Sequence, residues 1–204
     1  ALPILKIFNL SQDAELINGT YGIYYKIQQI ALFSCFGLSN TLISLLAFNI
    51  GLNNKDRIKE CIKWGIIDTV IVAGIITIIF EVLAGPISKL FGLTTTGENK
   101  NQIITLCETS IRIASIGYVF MGISLAIQGI LQAYRKALSP LLISTLRLII
   151  FLVPVSLIFV YQSNAVNLVW WVFPIVEVLT AVLSILILKL TEKMLTLKKD
   201  KQLI

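Results

Sequence analysis

Five long apolar stretches, over residues 21–50, 64–85, 103–133, 141–160 and 165–188, constrain this chain more than any other feature. Two of them carry no charged residue for longer than a minimal membrane crossing: Ile27 to Asn54, and Ile113 to Tyr134. A crossing needs roughly 20 apolar residues at 1.5 Å rise each. A soluble domain of 204 residues buries a good core, but not this much Ile, Leu, Val and Phe in so many runs. With 56% hydrophobic residues and a mean hydropathy of +0.87, the chain reads as a polytopic, all-α membrane bundle of about five transmembrane helices.

The helical reading follows from the solvent. Lipid offers no partner to exposed backbone groups, so only helices or closed barrels cross it. A barrel alternates apolar and polar positions over about ten residues, whereas Ile66–Phe80 and Leu141–Phe159 are apolar on both faces. The net charge of +6 does not point to nucleic acid, because the lysines fall in loops and a tail rather than along one stripe. Cys35, Cys61 and Cys107 are widely spaced and the chain has no His, so no metal or redox pattern emerges. No motif for ATP, flavin or catalysis is present, and the chain does not read as an enzyme.

Loop charges suggest an orientation. Lys55, Arg57, Lys59 and Lys63 follow the first span, Arg135 and Lys136 the third, and Lys189, Lys193, Lys198, Lys199 and Lys201 the last. These are eleven of the 17 basic residues; the alternate side has only Lys6, Lys26, Lys89 and Lys100. Short basic loops stay cytoplasmic. The tail over 191–204 is therefore expected in the cytoplasm, with residues 1–20 and the polar 88–102 link outside. Residues 1–20 are weakly apolar and lack the basic-then-apolar order of a signal peptide. They read as the end of a preceding helix plus a loop, and the rest as the C-terminal portion of something larger. The glycosylation-like triplets at Asn9 and Asn18 carry little weight.

Ionisable groups at membrane depth normally face a bundle interior, a partner or water. Glu108 and Arg112, four apart, share one helix face and read either as an ion pair or as a carboxylate that exchanges a proton. Glu177 follows Pro174 near the middle of the last span and is expected either to pair with Arg147 or to act in transport. Asp68 and Glu81 read as interfacial. In the first span Tyr21, Tyr25, Gln28, Gln29, Phe36 and Asn40 recur at helical spacing. They form either an aromatic-and-amide wall suited to an organic cation, or an interfacial belt with packing residues. Asn49, and Gln128 with Ser124 in the third span, extend this polar character. Pro154 and Pro174 interrupt the last two spans, as where helices bend around a cavity.

The order of these motifs resembles the multidrug and toxic compound extrusion family, in the second half of its twelve-helix, two-lobe fold. The resemblance is carried by Tyr24-Tyr-Lys-Ile-Gln-Gln29 leading into Phe36-Gly-Leu-Ser-Asn40. It continues in Phe48-Asn-Ile-Gly-Leu-Asn-Asn-Lys-Asp-Arg57 and in Gln128-Gly-Ile-Leu-Gln-Ala-Tyr-Arg-Lys136 before Ser139-Pro140. Leu52 stands where alanine is common, and Tyr134 and Arg135 stand where a glycine is frequent. The resemblance covers about 20 to 190 and implies helices eight to twelve, with the N-terminal lobe on another part of the polypeptide.

It further implies a secondary active antiporter in the cell membrane. Such a protein exports cationic organic compounds for protons or sodium ions by alternating access, and the segment is inactive alone. In sodium-coupled members the second-lobe site uses acids from helices seven and ten. Here Glu108 lies earlier than the aspartate usually credited, and Ile123 to Gln128 offers no acid. The coupling ion therefore stays open, with protons slightly favoured, no cofactor and no defined metal site, and the expected substrate and ion pathway takes in Tyr25, Gln28, Gln29, Phe36, Asn40, Asn49, Glu108, Arg112, Gln128, Arg147 and Glu177. Two rival readings are a lipid-linked oligosaccharide flippase of related fold and a non-transporting membrane scaffold.

Overall fold

The computed structural model describes residues 14–92, 100–162 and 164–200, all of which are helix or short connection. Helix α1 (Ala14–Gly51) and α2 (Lys55–Gly92) are long and continuous; α3 (Lys100–Ser115) and α4 (Tyr118–Ala133) follow. Next come α5 (Leu138–Leu146), a π-helical turn (Arg147–Leu152) and α6 (Val153–Val160). Last are α7 (Ala165–Leu168), a 3-10 turn (Val169–Trp171) and α8 (Val172–Asp200). Among the described residues four helical stretches are long and apolar enough to cross a membrane, and five if the bent α3–α4 pair is one span.

The spans outrun their expected bounds. Helix α1 starts at Ala14 rather than at 21, and α8 continues through Asp200, so most of the basic tail begins as helix. Ser88 to Gly92, expected in a link, end α2. Residues 1–13, the 93–99 part of that link, residue 163 and residues 201–204 lie outside the described residues, and with them Lys6 and the Asn9 triplet.

Local chemistry explains the breaks. The turn after α1 places Asn53 at φ 52°, with Asn54 N–H donating to Asn49 O at 3.1 Å. Asn54 Oδ1 then accepts from Arg57 N–H at 3.2 Å, an N-cap for α2. The turn after α4 repeats this geometry: Arg135 has φ 59°, and Lys136 N–H donates to Leu131 O at 2.9 Å. That left-handed residue accounts for the expectation of a glycine at this turn. The third span bends by 46° between α3 and α4, where Gly117 N–H turns back to Ala114 O at 3.0 Å. Pro154 and Pro174 sit in the first turns of α6 and α8 rather than inside them, where a missing N–H is tolerated. The irregular π-helical and 3-10 turns immediately precede them.

Helix α4 is buried on almost every face, from Tyr118 through Met121, Ala126 and Ile127 to Ile130, and is the centre of the bundle. Ser39 Oγ on α1 donates to Leu125 O at 2.9 Å, and a Cβ at Gly129 would lie 2.5 Å from that same Ser39 Oγ. Only glycine permits this approach of α1 to α4. Ile71, Ile75, Ile78 and Val82 on α2, and Leu148, Ile149 and Ile150 beside α6, are exposed. These are surfaces suited to lipid.

Candidate functional site

The exposed face of α1 differs in kind. Tyr25, Asn40 and Ser44 lie on it with Phe33 and Phe36, and Gln29 is half-buried beside them. Toward the Ala14 end of this face a cavity of about 240 Å³ opens between α1, the π-helical turn and α8. Its α1 wall is Tyr21, Tyr25, Gln28, Gln29 and Leu32; Arg147, Leu148 and Leu152 come from the turn and Phe173, Val176 and Glu177 from α8. Six of the residues expected from sequence thus line one cavity: Tyr21, Tyr25, Gln28, Gln29, Arg147 and Glu177.

Arg147 Nη2 donates to Glu177 Oε1 in the floor of this cavity. The pair is asymmetric, since the arginine side chain keeps 22% exposure and the glutamate 5%. Glu177 Oε2 is buried without a hydrogen-bond partner among the described residues. Behind it stands the break in the third span: a Cβ at Gly117 would lie 3.3 Å from Glu177 Cγ and 3.1 Å from Pro174 Cα. Helix α4 therefore begins beside the carboxylate. Tyr24 and Tyr118 are fully buried and within electrostatic reach of Glu177. Tyr24 packs on Phe173, ring centroids 4.7 Å apart, which holds α1 against α8.

The remaining expected residues lie elsewhere. Phe36 and Asn40 share the exposed α1 face but do not line the cavity. Asn49 Nδ2 donates to Leu45 O at 2.8 Å and reaches Cys61 Sγ at 3.6 Å, which pins the α1–α2 corner. Gln128 Oε1 accepts from Ser144 Oγ at 3.2 Å and ties α4 to α5.

Glu108 and Arg112 form a second cluster, with Arg112 Nη2 to Glu108 Oε1 at 3.0 Å. Glu81, expected as a separate interfacial residue, joins it. Arg112 Nη1 donates to Glu81 O at 3.0 Å and lies 3.5 Å from Glu81 Oε2, while Ser115 Oγ donates to Glu81 Oε1 at 3.0 Å. The reason is the α2–α3 hairpin, because the midpoint of 81 and 112 falls in the 93–99 link and the two residues therefore meet. Sequence reasoning also missed Gly117, Tyr24 and Tyr118 as neighbours of Glu177. Gly117 was visible as a small residue in midspan, but nothing local tied it to the last helix. Asp68 is exposed in a small groove with Trp64, Cys61 and Thr41 between α1 and α2.

With this geometry in hand, likeness to known proteins is informative. A family model described as MatE matches residues 19–158. The chain is 24% identical over 194 residues to the multidrug export protein MepA of Staphylococcus aureus (strain MRSA252), covering 95% of this chain and 41% of that relative. The chain thus spans about two fifths of the length of that curated relative. Among solved structures, it superposes on an inward-facing multidrug resistance transporter of this family with a TM-score of 0.83, at 14% identity over 95% of this chain and 43% of that one. An outward-facing structure gives a TM-score of 0.84, at 14% identity over 95% and 42%. At such identities the likeness is one of fold. Near-equal scores against the two states show that this arrangement of helices is common to both.

Proposed function

The chain belongs to the MatE family, and from that premise we propose that it forms one lobe of a secondary active transporter. The transporter exports organic compounds with a cationic centre, in exchange for protons or sodium ions, by alternating access. The observation that carries this reading is the Arg147–Glu177 pair, set in the floor of a cavity within the spans. Ionisable residues within spans mark substrate and ion pathways, and this reading places the exchange of ligand and coupling ion at the buried carboxylate of Glu177. The aromatic and amide wall of α1 supplies ring faces and carbonyl oxygens for the ligand. The exposed polar strip from Tyr25 to Ser44 continues this wall and is where a second lobe would complete the pathway. Basic residues around Lys55, Arg135 and Lys189 favour an orientation with the C-terminus in the cytoplasm. Transport is proposed of the whole polypeptide, since the chain spans about two fifths of the length of the curated relative it matches.

The test is uptake of a fluorescent organic cation by proteoliposomes of the full-length polypeptide, with a proton gradient and then a sodium gradient imposed. Flux that follows one gradient supports the transporter and names its ion. Glu177→Gln should lower that flux at unchanged membrane level. Absence of flux under both gradients, with correctly inserted protein, would overturn the reading and turn attention to lipid-linked substrates.

A further inference from the structure

The face of α2 that suits lipid carries one carboxylate near its start. Trp64, Asp68, Ile71, Ile75, Ile78 and Val82 recur at three- and four-residue steps and so share one face. All six are exposed, and every one but Asp68 and the amphipathic Trp64 is aliphatic. From Asp68 to Lys89 the helix rises about 30 Å, the thickness of a hydrocarbon core. Asp68 therefore stands where the headgroup layer begins, with Trp64 one turn above it as an interfacial anchor.

Asp68 makes no hydrogen bond or ion pair with any described residue. A carboxylate at this depth is costly without a counter-charge, and its side chain is too short to reach bulk water as a lysine does. It opens into a groove of about 130 Å³ between α1 and α2, walled by Leu38, Leu45 and Trp64. At about 3.6 residues per turn, Thr41 and Leu45 fall nearly opposite Tyr25 on α1. The groove thus opens away from the cavity at Glu177 and toward the bilayer.

The charges around the groove define its occupant. Lys63 lies over the Trp64 ring, Nζ 5.7 Å from the centroid, and has no acidic partner among the described residues. Glu60, one turn before Trp64, is held by Arg57 at 3.4 Å. An unpaired acid at the hydrocarbon boundary with an unpaired base just above it complements an ammonium and a phosphate on one molecule. We propose that this groove binds a phospholipid with a primary-amine headgroup. Its ammonium donates to Asp68, its phosphate meets Lys63, and an acyl chain runs along Leu38 and Leu45. A quaternary choline has no hydrogen to donate to the carboxylate, and a headgroup with net negative charge is repelled by it.

The experiment is a lipid titration of the detergent-solubilised full-length protein, read by native mass spectrometry. Dioleoyl phosphatidylethanolamine, phosphatidylcholine and phosphatidylglycerol share chains and phosphate and differ in the group offered to Asp68. The ethanolamine lipid should bind at least about tenfold more tightly than the other two, as a charge-assisted hydrogen bond implies. Asp68→Asn should bring it down to the choline lipid, and Lys63→Gln should weaken both alike. Glu81→Gln, on the same helix but outside the groove, should leave the preference intact. A preference that survives in Asp68→Asn, or that is lost in Glu81→Gln, would overturn the proposal. Equal binding of the three lipids to wild-type protein would also overturn it, and would mean that another part of the polypeptide covers Asp68. Lipid binding is read without a gradient or a transported compound, so its failure is separable from a failure of flux.

Discussion

Among the described residues two ion-pair clusters bridge neighbouring spans, built by the same device yet placed in different surroundings. Glu81 and Arg112 meet across the α2–α3 hairpin, and Arg147 and Glu177 meet across the hairpin from α5–α6 to α7–α8. In the first cluster the arginine side chain is 48% exposed, and its two carboxylate partners are 35% and 37% exposed. In the second, Glu177 is all but sealed. The difference is α1. Its Tyr21 and Tyr24 pack on Phe173, and its glutamines roof the space above Arg147, whereas among the described residues no helix covers Arg112 in this way. An ion pair between neighbouring helices is thus common to both clusters, and a third helix laid across one of them turns that pair into a site.

The largest expected contrast is energetic. Arg147→Met strands a buried carboxylate and should destabilise the protein by about 3–5 kcal/mol, read as a lowered melting temperature in detergent. Arg147→Met/Glu177→Leu should recover most of that loss, since a well-packed apolar pair replaces a buried ion pair at little cost. A double variant as unstable as the single one would show that the pair is needed for more than mutual compensation. The two clusters should separate next in function. Under the proposed transport activity, Glu177→Gln should remove most gradient-driven flux, while Glu81→Gln, outside the cavity, should leave most of it. Equal losses in the two variants would place the ion pathway across both clusters.

The helix break behind Glu177 permits a finer test. At Gly117 an added methyl would press on the Pro174 backbone at 3.1 Å, and neither partner is a flexible side-chain end. Gly117→Ala should therefore cost about 1–2 kcal/mol by overpacking, measured by the same melting assay. If it proves neutral, α8 is free to move away from the break, and the close seating of Glu177 against α4 is not fixed.

Much of this was legible in the sequence, for a physical reason. Lipid removes the alternatives to a helix, so apolar length alone pointed to an all-helical membrane bundle, and motif order pointed to the family. The pairing of Arg147 with Glu177 was also within reach, since their midpoint falls in the short 161–164 connection. The same hairpin reasoning, applied to Glu81, would have placed it beside Arg112. The bend at Gly117 and the π-helical turn at Arg147–Leu152 were not legible, because each depends on what packs opposite. Nor were the fates of Asn49 and Gln128. An amide in an apolar span must find a partner, and whether that partner is a ligand or a nearby carbonyl or hydroxyl is decided by tertiary neighbours.

The smallest expected effect tests the roofing argument most directly. Arg112 is half-exposed and holds its two glutamates with no helix over them, so loosening it lets Glu81 and Glu108 turn outward instead of being trapped. Exposed pairs of this kind contribute little, because each partner finds another environment when the other is removed. Arg112→Gln should leave the melting temperature nearly unchanged, and what change there is should shrink further in high salt. A large, salt-insensitive loss would mean that the Arg112 cluster is covered in the intact protein by a segment outside the described residues. The contrast with Glu177 would then be one of which helix supplies the roof, not of whether a roof exists.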